Sequence, residues 1–204
     1  MSLHDRPALT PQEALERLQA GNERFVGGES RVPTVQKSVL AGLADGQRPW
    51  ATILGCSDSR VSPEVVFDAG LGELFVIRVA GNVLGPSVYG TLQYAGIHLH
   101  TPLFVVLGHE GCGAVDAALA SRFLGAEYKR RIATLLENIE PALDGLDASQ
   151  PHDALLHTAV EANVRHTVAA MRSALEATES LADRGMMLVG AVHDFASGRV
   201  RFLA

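Results

Sequence analysis

Short apolar runs, each closed by glycine or polar residues, recur along the chain from residue 50 onward. Five of them have the length and composition of β-strands: Trp50–Gly55, Leu74–Arg78, Leu103–Gly108, Met187–His193 and Arg199–Leu203. The first four are apolar nearly throughout instead of alternating, a pattern typical of strands that are covered on both faces. The pattern therefore predicts a sheet buried between two layers.

Stretches with helical spacing or capping residues lie before and between these runs. The predicted helices are a first helix from Thr10 to about Gly21, then Thr34–Leu43, Pro63–Ala69, Pro86–Leu99, Gly113–Leu124 and Asp153–Thr178. The first begins with a capping box, in which Thr10 and Glu13 satisfy each other's backbone N–H groups. Strands that alternate with helices predict a mainly parallel sheet with right-handed crossovers.

The last strand follows a connection of only a few residues, from His193 to Gly198, which is too short for a crossover helix. It is therefore expected to run antiparallel to the strand before it. The predicted fold class is α/β: a mainly parallel central sheet of about four strands plus one C-terminal antiparallel strand, flanked by helices. Because 204 residues suit one well-cored domain, we expect a single domain over residues 1–204, with an N-terminal helical arm at about residues 10–45.

The charge and the hydropathy of the chain argue against nucleic acids and membranes as binding partners. The chain has 17 Lys and Arg against 23 Asp and Glu, a net charge of −6, and shows no electrostatic footprint for nucleic acid or for an anionic membrane. Its apolar runs fall far short of the ~18 residues that a membrane span needs. The N-terminal residues lack the apolar core of a signal peptide, so we expect a cytoplasmic protein.

The chain has only two cysteines, and both lie just beyond predicted strands. Cys56 follows the first strand, and Cys112 comes three residues after His109, which follows the third. Functional groups of open parallel sheets collect at the carboxyl ends of the strands. If the two strands are neighbours, two thiolates and one imidazole meet, a set that favours Zn²⁺ and leaves its fourth position for water. The alternatives are two unconnected buried cysteines or a closed structural zinc, for which no third cysteine is present.

Asp58 and Arg60 occupy alternate positions just after Cys56, so in an extended segment their side chains share a face. Asp58 beside a guanidinium stays ionised, and it could accept the proton of a zinc-bound hydroxide or occupy the fourth zinc position. A salt bridge that only braces the loop is an equally open interpretation. The glycine-rich segment Ala80–Pro86 lacks the known phosphate-binding patterns, and nothing directs His98, His100, His157 or His166 toward the cysteines.

The segment Cys56-Ser-Asp-Ser-Arg60 together with His109-x-x-Cys112 resembles the β-class carbonic anhydrases. The similarity covers roughly residues 10–204 and includes the segments Glu64–Asp68, Leu71–Arg78, Ala80–Asn82 and Val189–Asp194. It implies that Cys56, His109 and Cys112 bind one Zn²⁺ per chain, and that Asp58 and Arg60 form a catalytic dyad. The implied reaction is the reversible hydration of carbon dioxide to bicarbonate and a proton by metal-bound hydroxide.

Members of this family that resemble the plant enzymes carry three pocket residues, which are matched here by Gln47, Phe75 and Tyr94. The resemblance implies that they bind the substrate at an interface between subunits, and therefore that the chain forms a homodimer or a larger even homo-oligomer. The other branch has a tryptophan three positions before the first cysteine, within a regulatory bicarbonate site. Ile53 stands at that position, which argues against this site.

Two other functions remain open from the sequence. Hydrolysis of carbon disulfide or carbonyl sulfide would use the same scaffold and metal, and a non-catalytic zinc-binding regulatory module would use the metal alone. The intact pair of Asp58 and Arg60 argues against the second. Two thiolates already balance the charge of Zn²⁺, so we expect Asp58 to bond to Arg60 near neutral pH and to leave the fourth zinc position open.

Overall fold

The predicted sheet is present in the computed structural model of the chain, which describes residues 8–31, 37–44, 46–176 and 185–203. Its five strands are β1 (Ala51–Gly55), β2 (Leu74–Arg78), β3 (Leu103–His109), β4 (Met187–His193) and β5 (Val200–Leu203). Their order is β2-β1-β3-β4-β5, with β1 to β4 parallel and β5 antiparallel to β4. The predicted fold class is confirmed, and no strand end differs from its prediction by more than one residue.

Seven α-helices lie in the described part of the chain. They are α1 (Pro11–Val26), α2 (Lys37–Leu43), α3 (Pro63–Val66), α4 (Pro86–Ile97), α5 (Gly113–Leu124), α6 (Arg131–Leu136) and α7 (His152–Glu176). Short 3₁₀ helices cover Ala80–Asn82 and Glu140–Leu143. The helix α6 and both 3₁₀ helices were not predicted, and the predicted residues 34–36 and 177–178 lie outside the described ranges.

The first helix does not end near Gly21 as predicted, but continues to Val26. Gly21 is buried against α3, and a Cβ atom at this position would lie only 1.9 Å from the carbonyl oxygen of Phe67. The glycine therefore allows two backbones to approach closely instead of ending the helix. At the other end the predicted capping box is confirmed, because Glu13 N–H donates to Thr10 Oγ1 and Thr10 N–H donates to the Glu13 carboxylate.

Both faces of the sheet are covered, which explains why its inner strands are apolar throughout. On one face Ile53 and Val105 pack with Leu18 of α1 in one apolar cluster. On the other face Leu54 and Val106 pack in a second cluster, with residues of α4, α5 and α7. Among the described helices, none combines the length and apolar character that crossing a membrane requires.

The strand order places β1 beside β3, although β2 lies between them in sequence. The chain leaves β1 toward one edge of the sheet and enters β3 on the other side of β1. Open α/β sheets bind ligands at such a reversal of strand order, outside the carboxyl ends of the two strands. Here those ends are Gly55 of β1 and His109 of β3.

Candidate metal centre

The two cysteines and His109 converge at this reversal point. Cys56 directly follows β1, His109 is the last residue of β3, and Cys112 is the N-cap of α5. Their ligand atoms all lie within 4.8 Å of one another, and all three residues are buried. The two Sγ atoms are 4.0 Å apart, close to the spacing of about 3.8 Å that follows from two Zn–S bonds of about 2.3 Å in a tetrahedron. The condition that β1 and β3 are neighbours is met, and the two cysteines come together at one site.

The hydrogen bonds of His109 leave one ring nitrogen for a metal. Nδ1 lies 3.0 Å from the carbonyl oxygen of Glu110, to which it donates in the tautomer that satisfies both atoms. Nε2 is buried and has no hydrogen-bond partner among the described residues. An imidazole that donates through one nitrogen presents the lone pair of the other, which is the arrangement of metal-bound histidines.

The charge state of the two thiols also fits a cation. The hydrogen bond with Cys112, opposed by burial, lowers the pKa of Cys56 to about 4. The same hydrogen bond and burial raise the pKa of Cys112. One thiolate is thus stable beside one thiol, and a divalent cation between them would offset the repulsion that keeps the second proton in place.

A backbone turn supports the Cys56 thiolate from the side. The N–H of Gly81, in the 3₁₀ helix Ala80–Asn82, donates to Cys56 Sγ at 3.3 Å. Gly81 has a φ of +69°, and a Cβ atom there would lie 2.7 Å from Cδ1 of Ile139. Its carbonyl accepts a hydrogen bond of 2.9 Å from Nδ2 of Asn163, which is 1% exposed on α7. Helix α7 therefore holds the turn that donates to the metal-binding sulfur.

Asp58 and Arg60 lie at the mouth of the cluster and bind each other. Arg60 donates from Nε to Oδ1 of Asp58 at 3.0 Å and from Nη2 to Oδ2 at 2.8 Å. These hydrogen bonds hold the pKa of the Asp58 carboxyl well below its usual range, so it is ionised at neutral pH. Its Oδ2 lies 4.0 Å from Nε2 of His109, the nitrogen left for a metal.

Arg78 fixes the backbone that carries this pair. It ends β2 and donates from Nε to the carbonyl of Cys56 at 3.0 Å, and from Nη2 to the carbonyl of Asp58. Arg78 and Asn163 were not predicted as functional residues. A signal for Asn163 was present in the sequence, since it is an amide that directly precedes Val164 in the apolar stripe of α7.

The three predicted pocket residues are less buried than the metal ligands. The rings of Phe75 and Tyr94 are 6.2 Å apart, Tyr94 is 48% exposed, and Gln47 is exposed. Across the described ranges, no hydrogen bond, ion pair or ring contact joins Gln47, Phe75 or Tyr94 to the two cysteines or to His109. One chain therefore brings Phe75 and Tyr94 together but does not bond them to its own metal centre.

Glu110 and His157 form a separate pair beside the site. His157 Nδ1 lies 2.9 Å from Glu110 Oε2, and both side chains reach solvent. In the part of the chain that the structure describes, the only group of three or more His, Cys, Asp or Glu side chains able to hold a metal ion is the one formed by Cys56, His109 and Cys112.

Comparisons with known proteins agree with this geometry. The family model described as "Carbonic anhydrase" matches residues 51–200. Carbonic anhydrase 2 of Mycobacterium tuberculosis is 38% identical over 199 residues, which cover 95% of this chain and 93% of that protein. The crystal structure of the β-carbonic anhydrase CafA of Aspergillus fumigatus has a TM-score of 0.73 at 27% identity, covering 93% of this chain and 90% of that one.

A tetrameric β-carbonic anhydrase of Sordaria macrospora has the same fold, with a TM-score of 0.75 at 24% identity over 94% of this chain and 98% of that one. The matched family model spans β1 to β4 and the first residue of β5, and it includes all three metal-ligand candidates. This chain belongs to the β class of the carbonic anhydrase family.

Proposed function

We propose that the chain catalyses the reversible hydration of carbon dioxide to bicarbonate and a proton, with one Zn²⁺ held by Cys56, His109 and Cys112. The observation that carries this proposal is the buried, unpartnered Nε2 of His109 beside two thiol sulfurs 4.0 Å apart. When bound there, zinc supplies a hydroxide nucleophile near neutral pH, because it lowers the pKa of a coordinated water. Two thiolates and one imidazole leave that fourth position free of protein ligands.

Asp58 orients the nucleophile in this proposal. Its carboxylate is ionised and borders the space that His109 Nε2 faces, 4.0 Å away. An ionised carboxylate only accepts hydrogen bonds. It would therefore accept a hydrogen bond from the O–H of the hydroxide, which would leave an oxygen lone pair directed toward the carbon of the substrate.

Arg60 keeps Asp58 in that position. Two parallel hydrogen bonds fix both carboxylate oxygens. Moving Asp58 into the metal coordination sphere would break these bonds and place a third anion beside two thiolates, so the pair with Arg60 is the lower-energy arrangement near neutral pH. The fourth metal position would then stay free for the coordinated water that supplies the hydroxide.

Gln47, Phe75 and Tyr94 complete the substrate pocket from a second subunit, in a pocket of the type found in the plant enzymes. The exposure of Tyr94 supports this, since its ring contacts Phe75 and His98, with centroids 6.2 and 5.1 Å away, and still remains 48% exposed. Ile97, which is 36% exposed and follows Tyr94 by three residues on α4, lies on the same helix face and extends this apolar surface. The assembly is a homodimer or a larger even homo-oligomer, the commonest closed symmetries.

The two cysteines also indicate the compartment. Both are free thiols, and their sulfurs are too far apart for a disulfide bond of about 2.05 Å. Metal binding through thiolates requires that they stay reduced, as they do in the cytoplasm. We place the protein there, with residues 1–204 forming one domain whose N-terminal helical arm spans about residues 10–45.

Stopped-flow measurement of carbon dioxide hydration, on protein whose zinc content has been determined, tests this proposal. Hydration should rise in proportion to bound zinc and vanish after removal of the metal with a chelator. Fully loaded protein that hydrates carbon dioxide no faster than buffer would contradict it. Release of sulfide from carbonyl sulfide or carbon disulfide by such inactive protein would instead support a hydrolase on the same scaffold.

A further inference from the structure

One aromatic ring contacts both the metal-binding histidine and the Asp58–Arg60 pair. Phe195 lies two residues beyond β4, and its ring is 4.1 Å from the guanidinium carbon of Arg60, which stacks over it. The same ring has its centroid 5.2 Å from that of His109. Neither the predicted site nor the family resemblance assigned a role to Phe195.

We propose that Phe195 is a positioning residue for catalysis, which holds the Arg60 guanidinium in the orientation that binds Asp58. The inference rests on the proposed function, because its effect on the reaction passes through Arg60 and Asp58. A cation over an aromatic face gains electrostatic attraction from the ring quadrupole, and the planar guanidinium stacks best of all. Phe195 then contacts the face of the Arg60 guanidinium, and Asp58 accepts hydrogen bonds from its edge.

Arg60 needs such support because it is a long side chain in contact with solvent. Its side chain is 58% exposed. Exposed ion pairs contribute little by themselves, since water competes for the hydrogen bonds and ordering a flexible side chain costs entropy. A ring beneath the guanidinium removes most of the alternative orientations, so both hydrogen bonds to Asp58 form together.

The carboxyl end of β4 and the turn after it in turn fix the position of Phe195. Its ring meets that of buried His193 edge-on, with centroids 5.2 Å apart at 87°. His193 is the residue of β4 that pairs with His109 of β3. The turn after β4 is closed by hydrogen bonds from Ala196 N–H and Ser197 Oγ to the Asp194 carboxylate, at 2.9 and 2.7 Å. The ring therefore links the position of Arg60 to the strands that carry the metal ligand.

A double-mutant cycle tests this inference. Phe195→Leu keeps apolar volume but removes the aromatic face, and Phe195→Tyr restores the face. We expect Phe195→Leu to retain the parent zinc content, to lower kcat/KM for carbon dioxide about fivefold and to be largely rescued by Phe195→Tyr. In an Arg60→Ala background, where the ring has no guanidinium to hold, the same Leu substitution should change kcat/KM for carbon dioxide less than twofold.

Equal losses in the two backgrounds would show that Phe195 acts on the fold and not through Arg60, and would overturn the inference, as would full activity of Phe195→Leu. A crystal structure of zinc-loaded Phe195→Leu gives a readout that is independent of activity. It should show Arg60 in more than one orientation, and an unchanged single orientation would contradict the proposal. An inactive parent protein refutes the proposed function itself, whereas an active parent with an indifferent Phe195→Leu refutes only this inference.

Discussion

The metal centre and the proposed substrate pocket of this chain are built in opposite ways. The metal centre is buried and complete, with three ligand atoms within 4.8 Å of one another at the ends of two adjacent strands. The pocket residues Gln47 and Tyr94 are exposed, and no described hydrogen bond or ring contact connects them to the metal ligands.

This difference follows from what each site must recognise. A metal ion requires several ligand atoms at fixed distances of about 2.0–2.3 Å, which rigid neighbouring elements of this fold supply. A small neutral substrate requires an apolar wall and one or two hydrogen-bond donors, which a second surface can supply when it docks. The chain therefore carries its metal chemistry by itself and, in our account, leaves part of substrate recognition to a second copy.

Loss of a metal ligand should have the largest effect. His109→Asn should reduce bound zinc from about one per chain to almost none. Since changes to residues that only support a ligand cost ~10–100-fold, loss of the ligand itself should lower carbon dioxide hydration more than a hundredfold. Elemental analysis and stopped-flow assays measure both quantities. His166→Asn, a histidine change on α7, should keep zinc and activity, and a fully loaded His109→Asn protein would show that the metal centre is wrongly assigned.

Substitution of Asp58 should separate metal binding from catalysis. Asp58→Asn should keep zinc, because no ligand is lost. It should lower kcat/KM about a hundredfold, because the amide is a poorer acceptor for the hydrogen bond of the hydroxide than a carboxylate is. The amide also no longer forms a charged pair with Arg60. Asp144→Asn is the matched control, since Asp144 also pairs with an arginine, Arg122, but on the surface. Full activity of Asp58→Asn would remove Asp58 from the mechanism.

A smaller effect is expected from removing the hydrogen bond that holds the backbone turn beside the Cys56 thiolate. Asn163→Leu has a similar volume but leaves the Gly81 carbonyl without its hydrogen bond, so the turn that donates to Cys56 Sγ should loosen. Competition with a chelator should show a zinc affinity about tenfold weaker. Asn138→Leu, which removes only an exposed hydrogen bond to Thr134 on α6, should leave the affinity unchanged. Equal affinities of both variants would mean that α7 does not tune the metal centre.

The smallest effect concerns an exposed surface pair, His152 and Asp116. The hydrogen bond that His152 Nε2 donates to the Asp116 carboxylate raises the pKa of His152 above its usual value near 6.5. The pair therefore stabilises the fold below that pH, and the stability is lost as pH rises through the folded-state pKa. His152→Gln should lower Tm by at most about 2 °C at pH 5.5 and not at all at pH 9.5. Zinc content should be the same at both pH values. A larger loss at the higher pH would reverse the assigned sign.

Much of the fold was predictable because burial on both faces leaves a strong signal in sequence. The apolar runs of β1 to β4 and the short connection before β5 were enough to predict a mainly parallel sheet with one antiparallel strand at its C-terminal end. Gly21 was misinterpreted because a glycine that ends a helix and a glycine that permits close approach look alike until the neighbouring backbone of Phe67 is known. The helix α6 has no side-chain cap, and although Ile132, Leu135 and Leu136 have helical spacing, its six residues are too few for that spacing to identify a helix.

The metal ligands were predictable because their spacing places them at strand ends, where side chains of different strands meet. Residues that act through another residue were not. Asn163 lies far from Cys56 in sequence, and its role depends on which helix face meets the turn at Gly81. Phe195 has no spacing that relates it to Arg60, because the two meet only through the strand order.

The most direct test of a substrate pocket shared between subunits is complementation between two inactive subunits. His109→Asn loses the metal centre but keeps its pocket residues, whereas Gln47→Ala keeps the metal centre and loses a pocket residue. Hetero-oligomers of the two variants can be purified through two different affinity tags. If the pocket is shared across subunits, each pair of subunits has one intact site, in which the metal centre of the Gln47→Ala subunit meets the pocket residues of the His109→Asn subunit. Carbon dioxide hydration should then recover to about half of the wild-type value per pair. Activity no higher than the mean of the two parent variants would show that each chain builds its substrate pocket alone.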